Sequence, residues 1–425
     1  MAEPTRRTIM TAAAVAPLAA SLRLEAAEVD RIDGWIKRYA GFGDKPAGGA
    51  GDTASGEWLE AEMTQWCYAV RRQSFSTPYF EPEVVTLAAG AETATIIAQA
   101  PVRMTPAGGM IAPLVAMDSY SQPRALKGAI TLARLRFNRW SSATSPEVQA
   151  AINAAAAQGA AAVLLVTDGR SGLALALNAP ADAPPLAVPV ATIAPGDALR
   201  VFKTGAPATL RIEGHGGVRP AYNLFAALPR SNQRTLVIST PRSGWFGCVG
   251  ERGPGIAVWL ALARAYAQGD VAASPLFVAT SGHEYENLGA VQFLHDGAPD
   301  PAQTALWVHL GANVAARDWQ DLGARLLPLS SAESQRFLVV SAGLLPAART
   351  AFAGQPGLEM PHDIERGAAG ELSEIAAAGY GSVAGVFGAH RYHHARSDDL
   401  RCVEPARVAQ AAMGFRTLIA AALDA

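Results

Sequence analysis

The residues that could do chemistry are concentrated at four places in the second half of the chain. They are Glu251, the pair His283-Glu284, His309, and the pair His393-His394. Carboxylates and neutral imidazoles are the oxygen and nitrogen ligands that suit zinc, and three such ligands leave one position open for water. An imidazole also exchanges protons near neutral pH, so it can serve as a general base. Together these residue types predict a metal-assisted hydrolytic site.

The elements around these residues should bring them to one edge of a sheet. After residue 220, short apolar runs alternate with helical patterns, which predicts an α/β fold with a mixed, largely parallel sheet flanked by helices on both faces. The expected strands cover 235–240, 275–280, 305–310 and 381–387, and the expected helices are Gly253–Gln268 and Pro405–Leu423. Ligands bind just outside the carboxyl ends of the strands in such sheets. Each of the four places follows or ends one of these strands, with Glu251 in the loop after the first.

Composition narrows the classes of function. The chain has 425 residues, with 35 Lys and Arg against 37 Asp and Glu, and a net charge of -2. No basic field exists to hold nucleic acid. Half of the residues are apolar, which suits a soluble protein with a sizeable core. The three cysteines, Cys67, Cys248 and Cys402, are too few for a disulfide framework or a cysteine-based zinc site, although one bridge is compatible with them.

The N-terminus has the features of an export signal. Arg6 and Arg7 precede a stretch from Ile9 to Ala20 without a charged residue. This stretch is shorter than the roughly 20 residues that span a bilayer, but it suits the apolar region of a signal peptide. The paired arginines resemble a twin-arginine signal, which exports folded proteins. Residues 1–27 are therefore expected to be removed, and the remaining chain to act in the periplasm or outside the cell without a membrane span.

Two segments separate this signal from the region after residue 220. Residues 28–79 predict two packing helices, Val29–Tyr39 and Glu57–Arg72, with a glycine-rich stretch between them. Residues 80–219 predict a small α/β insert, whose expected elements are strands at 129–133, 161–166 and 188–193 and a helix at Ser145–Gln158. Residues 220–425 then complete the domain that the two helices begin.

The insert resembles the protease-associated domain. The resemblance rests on the Lys127-Gly128 turn before one strand, on Gly159-Ala160-Ala161 after the helix, and on the strand that begins Val188-Pro189-Val190. Domains of that family usually lie beside the catalytic domains of exported peptidases. The resemblance implies a role in substrate access without a catalytic residue of its own.

From Asn223 onward the chain resembles the zinc-dependent exopeptidase family, which includes secreted bacterial aminopeptidases and glutaminyl cyclase. The matching segments are the helix Gly255–Ala265, the turn Ser281–Ala290 and the loop Tyr392–Asp399. The resemblance implies that Glu251, Glu284 and His394 hold a single zinc ion. It also implies that His283 or His309 moves the proton, that Asp398 orients His394, and that His393 lies beside them.

Several positions depart from that family's pattern. Pro241 and Ser243 stand where the family has a ligand histidine and an aspartate of its first metal. His309 replaces an aspartate of the same metal, and His283 replaces the glutamate that acts as general base. Glu251 stands where the family has its bridging aspartate, and Arg252 is the next residue in the sequence. A histidine base is chemically reasonable, and His283 or His309 could also join the metal ligands.

Three hypotheses remain open at this point. The first is an exported single-zinc hydrolase of amide bonds in small peptides or related compounds. The second is a catalytically inactive binding protein that kept the scaffold. The third is the same fold with a different reaction, such as a cyclase, a lyase, or a metal-free hydrolase that uses Ser243 or Ser281 with a histidine. Neither serine lies in a Gly-x-Ser-x-Gly elbow.

Overall fold

A computed structural model of the chain describes residues 26–117, 126–228, 230, 234–269 and 271–424. The expected signal lies almost wholly outside the described residues. The strands are β1 (Ala69–Ala89), β2 (Glu92–Ala98), β3 (Met110–Ala112), β4 (Leu114–Met117), β5 (Ile130–Arg134), β6 (Ala162–Val166), β7 (Val190–Ile193), β8 (Ala208–Ala227), β9 (Thr235–Pro241), β10 (Ser274–Thr280), β11 (Thr304–Leu310), β12 (Arg317–Leu322), β13 (Arg325–Ala332), β14 (Arg336–Val340), β15 (His362–Asp363) and β16 (Val383–Gly388). The helices are α1 (26–41), α2 (Ala50–Gln65), α3 (Pro146–Ala157), α4 (Pro195–Lys203), α5 (Val249–Gln268), α6 (Leu288–Asp296), α7 (Leu345–Ala351), α8 (Glu371–Ala377) and α9 (Pro405–Leu423).

The centre of the main sheet is parallel. Strands β16, β11, β9 and β10 lie side by side in that order and run in the same direction. Antiparallel strands flank them, with β14 beside β16 and β8 beside β10. Helices α5 and α9 pack on one face together with α1, α2 and α7, whereas α6 and α8 cover the other face. The expected mixed, largely parallel sheet with helices on both faces is thereby confirmed.

Two long strands join this sheet to a second lobe. Strand β1 pairs with β8 from Ala69 opposite Ala227 to Ala89 opposite Ala208, with a shift of register between Pro82 and Val84. Beyond the shift the two strands belong to a sheet with β2, β7, β6, β5 and β4, which has hydrophobic cores of its own. Strands β5, β6 and β7 and helix α3 lie where the sequence analysis expects them. In the described parts of both lobes, no helix is long and apolar enough to cross a membrane.

Two helices start earlier than expected. Helix α2 runs over Ala50–Gln65 rather than Glu57–Arg72, and the residues from Ala69 onward form β1. Its glycines permit close packing instead of breaking the helix, since a Cβ at Gly51 would lie 2.2 Å from the Asp44 carbonyl oxygen. Helix α5 begins at Val249 rather than Gly253, so Glu251 lies in its first turn and not in the preceding loop. The reason is the Asp398 carboxylate, which accepts backbone hydrogen bonds from the first turn of this helix.

A buried ion pair ties α2 to the ends of the central strands. The Arg242 and Asp52 side chains are fully buried, with Nε 3.0 Å from Oδ1. Arg242 Nη1 also donates to the Ala279 carbonyl oxygen, and the Ser281 hydroxyl donates to Asp52 Oδ2. Removing one partner of such a pair leaves an uncompensated charge in the interior, which is strongly destabilising.

We therefore expect Asp52→Ala to lower the free energy of unfolding by about 3–5 kcal/mol. The measurement is equilibrium urea unfolding followed by circular dichroism. Glu60→Ala on the same helix is the matched control, because Glu60 pairs with Arg72 at the surface and such pairs contribute about 1 kcal/mol or less. Equal losses in both variants would contradict a special role for the buried pair.

Candidate active site

The chemical residues of the four places lie at the same edge of the sheet. Strand β9 is followed by the loop to α5, β10 by the turn with His283, and β16 by the loop with His393 and His394, while His309 is near the end of β11. Because the four strands are parallel neighbours, these segments meet beyond their carboxyl ends. A cleft of about 800 Å³ opens there, and its lining includes His283, His309 and His393.

Asp398 fixes the beginning of α5. Its Oδ1 accepts a hydrogen bond from the Gly250 amide at 2.6 Å, and its Oδ2 accepts one from the Glu251 amide at 3.0 Å. A carboxylate at this position also interacts favourably with the positive end of the helix dipole. The His390 ring nitrogen Nε2 lies 3.2 Å from Asp398 Oδ2. Asp398 thus orients Glu251 through its backbone, whereas the family resemblance implied that Asp398 orients His394.

Glu251, His393 and His394 form a compact buried cluster. One ligand atom from each lies within 4.8 Å of the others. The His394 Nε2 atom is 3.5 Å and the His393 Nδ1 atom 3.8 Å from the same oxygen, Glu251 Oε1. Within the described residues, neither Glu251 oxygen nor His393 Nδ1 has a hydrogen-bond partner.

The tautomer of His394 follows from its other ring nitrogen. Nδ1 lies 2.9 Å from the Ala176 carbonyl oxygen, which can only accept, so Nδ1 carries the proton. In the neutral ring, the Nε2 lone pair faces the Glu251 carboxylate, so that two buried acceptors face each other without a hydrogen between them. A cation between them would remove this repulsion, and one carboxylate with two imidazoles is a zinc-type donor set. The residues present therefore fit a metal ion.

Arg252 supplies the nearest positive charge. Its Nη2 lies 2.6 Å from Glu251 Oε1, at an angle that makes the contact an ion pair rather than a hydrogen bond. Burial alone would raise the pKa of Glu251, but the charge of Arg252 and the neighbouring imidazoles hold that pKa well below its usual range. Burial also lowers the pKa of His393 well below that of a free histidine. Glu251 is ionised at neutral pH and His393 is neutral.

His283 has an acidic partner that the sequence analysis missed. Its Nδ1 lies 3.5 Å from Oε1 of Glu371, the first residue of α8, and the Thr280 hydroxyl donates to the same carboxylate at 2.7 Å. Burial lowers the pKa of His283, while Glu371 opposes this effect. Burial would raise the pKa of Glu371, but the adjacent His283 and His309 rings and the Thr280 hydroxyl hold that pKa below its usual value. The pair is a neutral imidazole whose Nδ1 faces a carboxylate, the arrangement of a general base.

His309 has the opposite tautomer. Its Nδ1 lies 2.9 Å from the Ser239 hydroxyl, which also accepts a hydrogen bond from the Trp307 indole at 2.8 Å. The hydroxyl proton is best satisfied on His309 Nδ1, which leaves the His309 proton on Nε2. Burial lowers the pKa of His309 to about 4, so the ring is neutral at pH 7. Such a ring offers a hydrogen-bond donor and not a base.

Glu284 makes its hydrogen bonds outside the cluster of Glu251, His393 and His394. Its Oε1 accepts a hydrogen bond from the Ala47 amide at 2.6 Å, and its Oε2 accepts one from the Ser243 hydroxyl at 2.8 Å. Both oxygens are thus used by the loop before α2 and by the loop after β9. The structure brings Glu251 and His394 together with His393 rather than with Glu284.

The second lobe forms one wall of the cleft. Six residues of that lobe line it together with His283 and Glu371: Phe137, Asn138, Arg139, Ser141, Ser142 and Thr144. Ala176 both accepts from the His394 ring and donates its amide to the His394 carbonyl oxygen. The site is therefore built from both lobes.

The fold matches those of solved zinc aminopeptidases and related peptidases. A peptidase M28 precursor from Shewanella amazonensis SB2B superposes with a TM-score of 0.73 at 16% identity, over 94% of this chain and 96% of that chain. BSAP, a zinc aminopeptidase from Bacillus subtilis, superposes with a TM-score of 0.71 at 18% identity, over 93% of this chain and 94% of that chain. An aminopeptidase from Aneurinibacillus sp. strain AM-1 superposes with a TM-score of 0.62 at 18% identity, over 92% of this chain and 93% of that chain.

The similarity lies in the structure rather than in the sequence. No protein-family model matches the chain, and no curated protein matches its sequence. At these identities the likeness concerns the fold, and it extends over nearly the whole described chain. The chain therefore has the zinc aminopeptidase fold.

Proposed function

We propose that this protein is a hydrolase of amide bonds in small peptides or related compounds, and that it holds one zinc ion with Glu251, His393 and His394. The observation that carries the proposal is the convergence of one ligand atom from each of these three residues beside the cleft, in a fold shared with zinc aminopeptidases. Of these atoms, Glu251 Oε1 and His393 Nδ1 have no hydrogen-bond partner among the described residues. His393 takes the place that the sequence analysis gave to Glu284. A zinc ion held there would supply Lewis acidity, polarising a carbonyl group and lowering the pKa of water.

Three other residues of the cleft have separate roles in the proposed reaction. His283 Nε2 accepts a proton, and Glu371 stabilises the imidazolium that forms, since it faces Nδ1. His309 Nε2 donates a hydrogen bond toward the carbonyl oxygen of the substrate, where negative charge develops. The wall from the second lobe restricts the access of water and limits substrates to those that fit the cleft.

The proposal includes export and the identity of the insert. Arg6, Arg7 and the uncharged stretch after them support a twin-arginine signal and action in the periplasm or outside the cell. The position of the second lobe beside the cleft supports a protease-associated insert that shapes substrate access.

A zinc titration distinguishes the cluster from the ligand set expected from sequence. We expect the wild type, stripped with a chelator and reloaded, to hold about one zinc ion per chain. His394→Asn should lose it, because the variant lacks the imidazole, and asparagine tolerates the φ of 61° at this position. Glu284→Gln should retain it. The measurement is elemental analysis after dialysis, with circular dichroism to verify folding; zinc-free wild type, or loss in Glu284→Gln alone, would refute the assignment.

The base can be tested through the pH dependence of turnover. With short peptides and aminoacyl amides, His283→Gln should lower kcat/KM by about 10²–10⁴-fold. Glu371→Gln should lower it by a smaller factor and move the acidic limb of the pH profile to lower pH, because the carboxylate that favours protonated His283 is gone. Glu374→Gln, on the same helix and also at the cleft, is the control. An unchanged acidic limb in Glu371→Gln would contradict the pairing.

An inactive binding protein is the second candidate. It is favoured by the ion pair that Arg252 makes with Glu251 and by the full hydrogen bonding of Glu284. Turnover of any amide that disappears in His283→Gln would exclude it.

A further inference from the structure

The guanidinium of Arg252 is a buried positive charge beside Glu251, and it has no role in the proposed reaction. Its side chain is fully buried, and its Nε donates to the Ser243 carbonyl oxygen at 3.1 Å. Among the described residues, Nη1 and Nη2 find no hydrogen-bond acceptor.

Two other buried arginines show what a structural role looks like in this protein. Arg242 makes an ion pair with Asp52 and donates to a backbone carbonyl group. Arg336 donates from Nε and Nη1 to the carbonyl oxygens of Pro356 and Val314. Arg252 uses only Nε in this way, and its Nη2 lies against the Glu251 carboxylate.

The guanidinium and the two imidazoles of the cluster converge on one atom. Glu251 Oε1 lies 2.6 Å from Arg252 Nη2, 3.5 Å from His394 Nε2 and 3.8 Å from His393 Nδ1. A metal ion that binds this oxygen shares it with a fixed positive charge. Like charges so close to each other, away from water, repel strongly.

We propose that Arg252 is a resident counter-ion of Glu251 that weakens the affinity of the Glu251, His393 and His394 site for divalent metal. This inference rests on the proposed metal site, but it assigns Arg252 a role that is independent of turnover. Arg252 acts as a positioning residue, since it touches Glu251 and not the substrate. The guanidinium holds the Glu251 carboxylate in place while the metal is absent.

The test is the zinc affinity of the full chain, measured by competition with a chromogenic chelator. Arg252→Gln removes the charge and retains an N–H group, whereas Arg252→Met removes both. Arg252→Lys keeps the charge and loses the Nε–H contact with Ser243, so it is the matched control. We expect the Gln and Met variants to bind zinc about tenfold or more tightly than the wild type, and the Lys variant to remain within roughly threefold of it.

The outcomes distinguish failure of the inference from failure of the proposed function. Equal affinities in the wild type and the Gln and Met variants would overturn the inference and leave the single-zinc proposal intact. Binding only after the charge is removed would support the inference and overturn the single-zinc proposal for the natural chain. Weaker binding in Gln and Met, or equal tightening in Lys, would show that charge is not the cause and overturn the inference. Absence of binding in all four proteins would overturn both. Thermal unfolding with and without zinc verifies that each variant is folded. If Arg252→Met does not fold, the comparison is made with Arg252→Gln.

Discussion

The contact on which the site depends is the carboxylate of Asp398 at the start of α5. It joins the loop with His393 and His394 to the helix turn with Glu251, because both of its oxygens accept amide hydrogen bonds from that turn. Only glycine fits at position 250, since a Cβ there would lie 2.7 Å from Asp398 Oδ1. Glu251 and the two histidines, which come from distant parts of the chain, are thus held next to each other by one helix cap.

The second lobe contributes more than a wall. The Ala176 carbonyl oxygen determines which nitrogen of His394 carries the proton, and the Ala179 amide bonds the backbone of the turn that follows β10. A lobe that only limited access would not need these contacts. Because metal ligands depend on such outer hydrogen bonds for their tautomer and orientation, the chemistry of the cluster is coupled to the docking of the two lobes. The long paired strands β1 and β8 make that docking a continuation of the sheet.

The sequence was sufficient for the sheet and for part of the site. Apolar runs and their alternation with helices identified the central strands, and the rule for strand ends placed Glu251 and His394 together. The partners of Glu284 could not be read from it, because they come from Ala47 and Ser243, which are remote in sequence. Glu371 was missed for a related reason: the short helix α8 has no strong periodicity, and its acid gains a role only where the fold places it against β10.

Burial explains how so many polar groups can share one place. If every group of the site were charged, the cost of removing them from water would be large. Burial lowers the pKa of His283, His309 and His393, so these rings are neutral, and the ionised Glu251 is balanced by Arg252. A neutral buried imidazole keeps a lone pair on one nitrogen. The neutrality that makes His283 and His393 tolerable in the interior therefore also leaves each a lone pair for a proton or a metal ion, whereas the lone pair of His309 is occupied by the Ser239 hydroxyl.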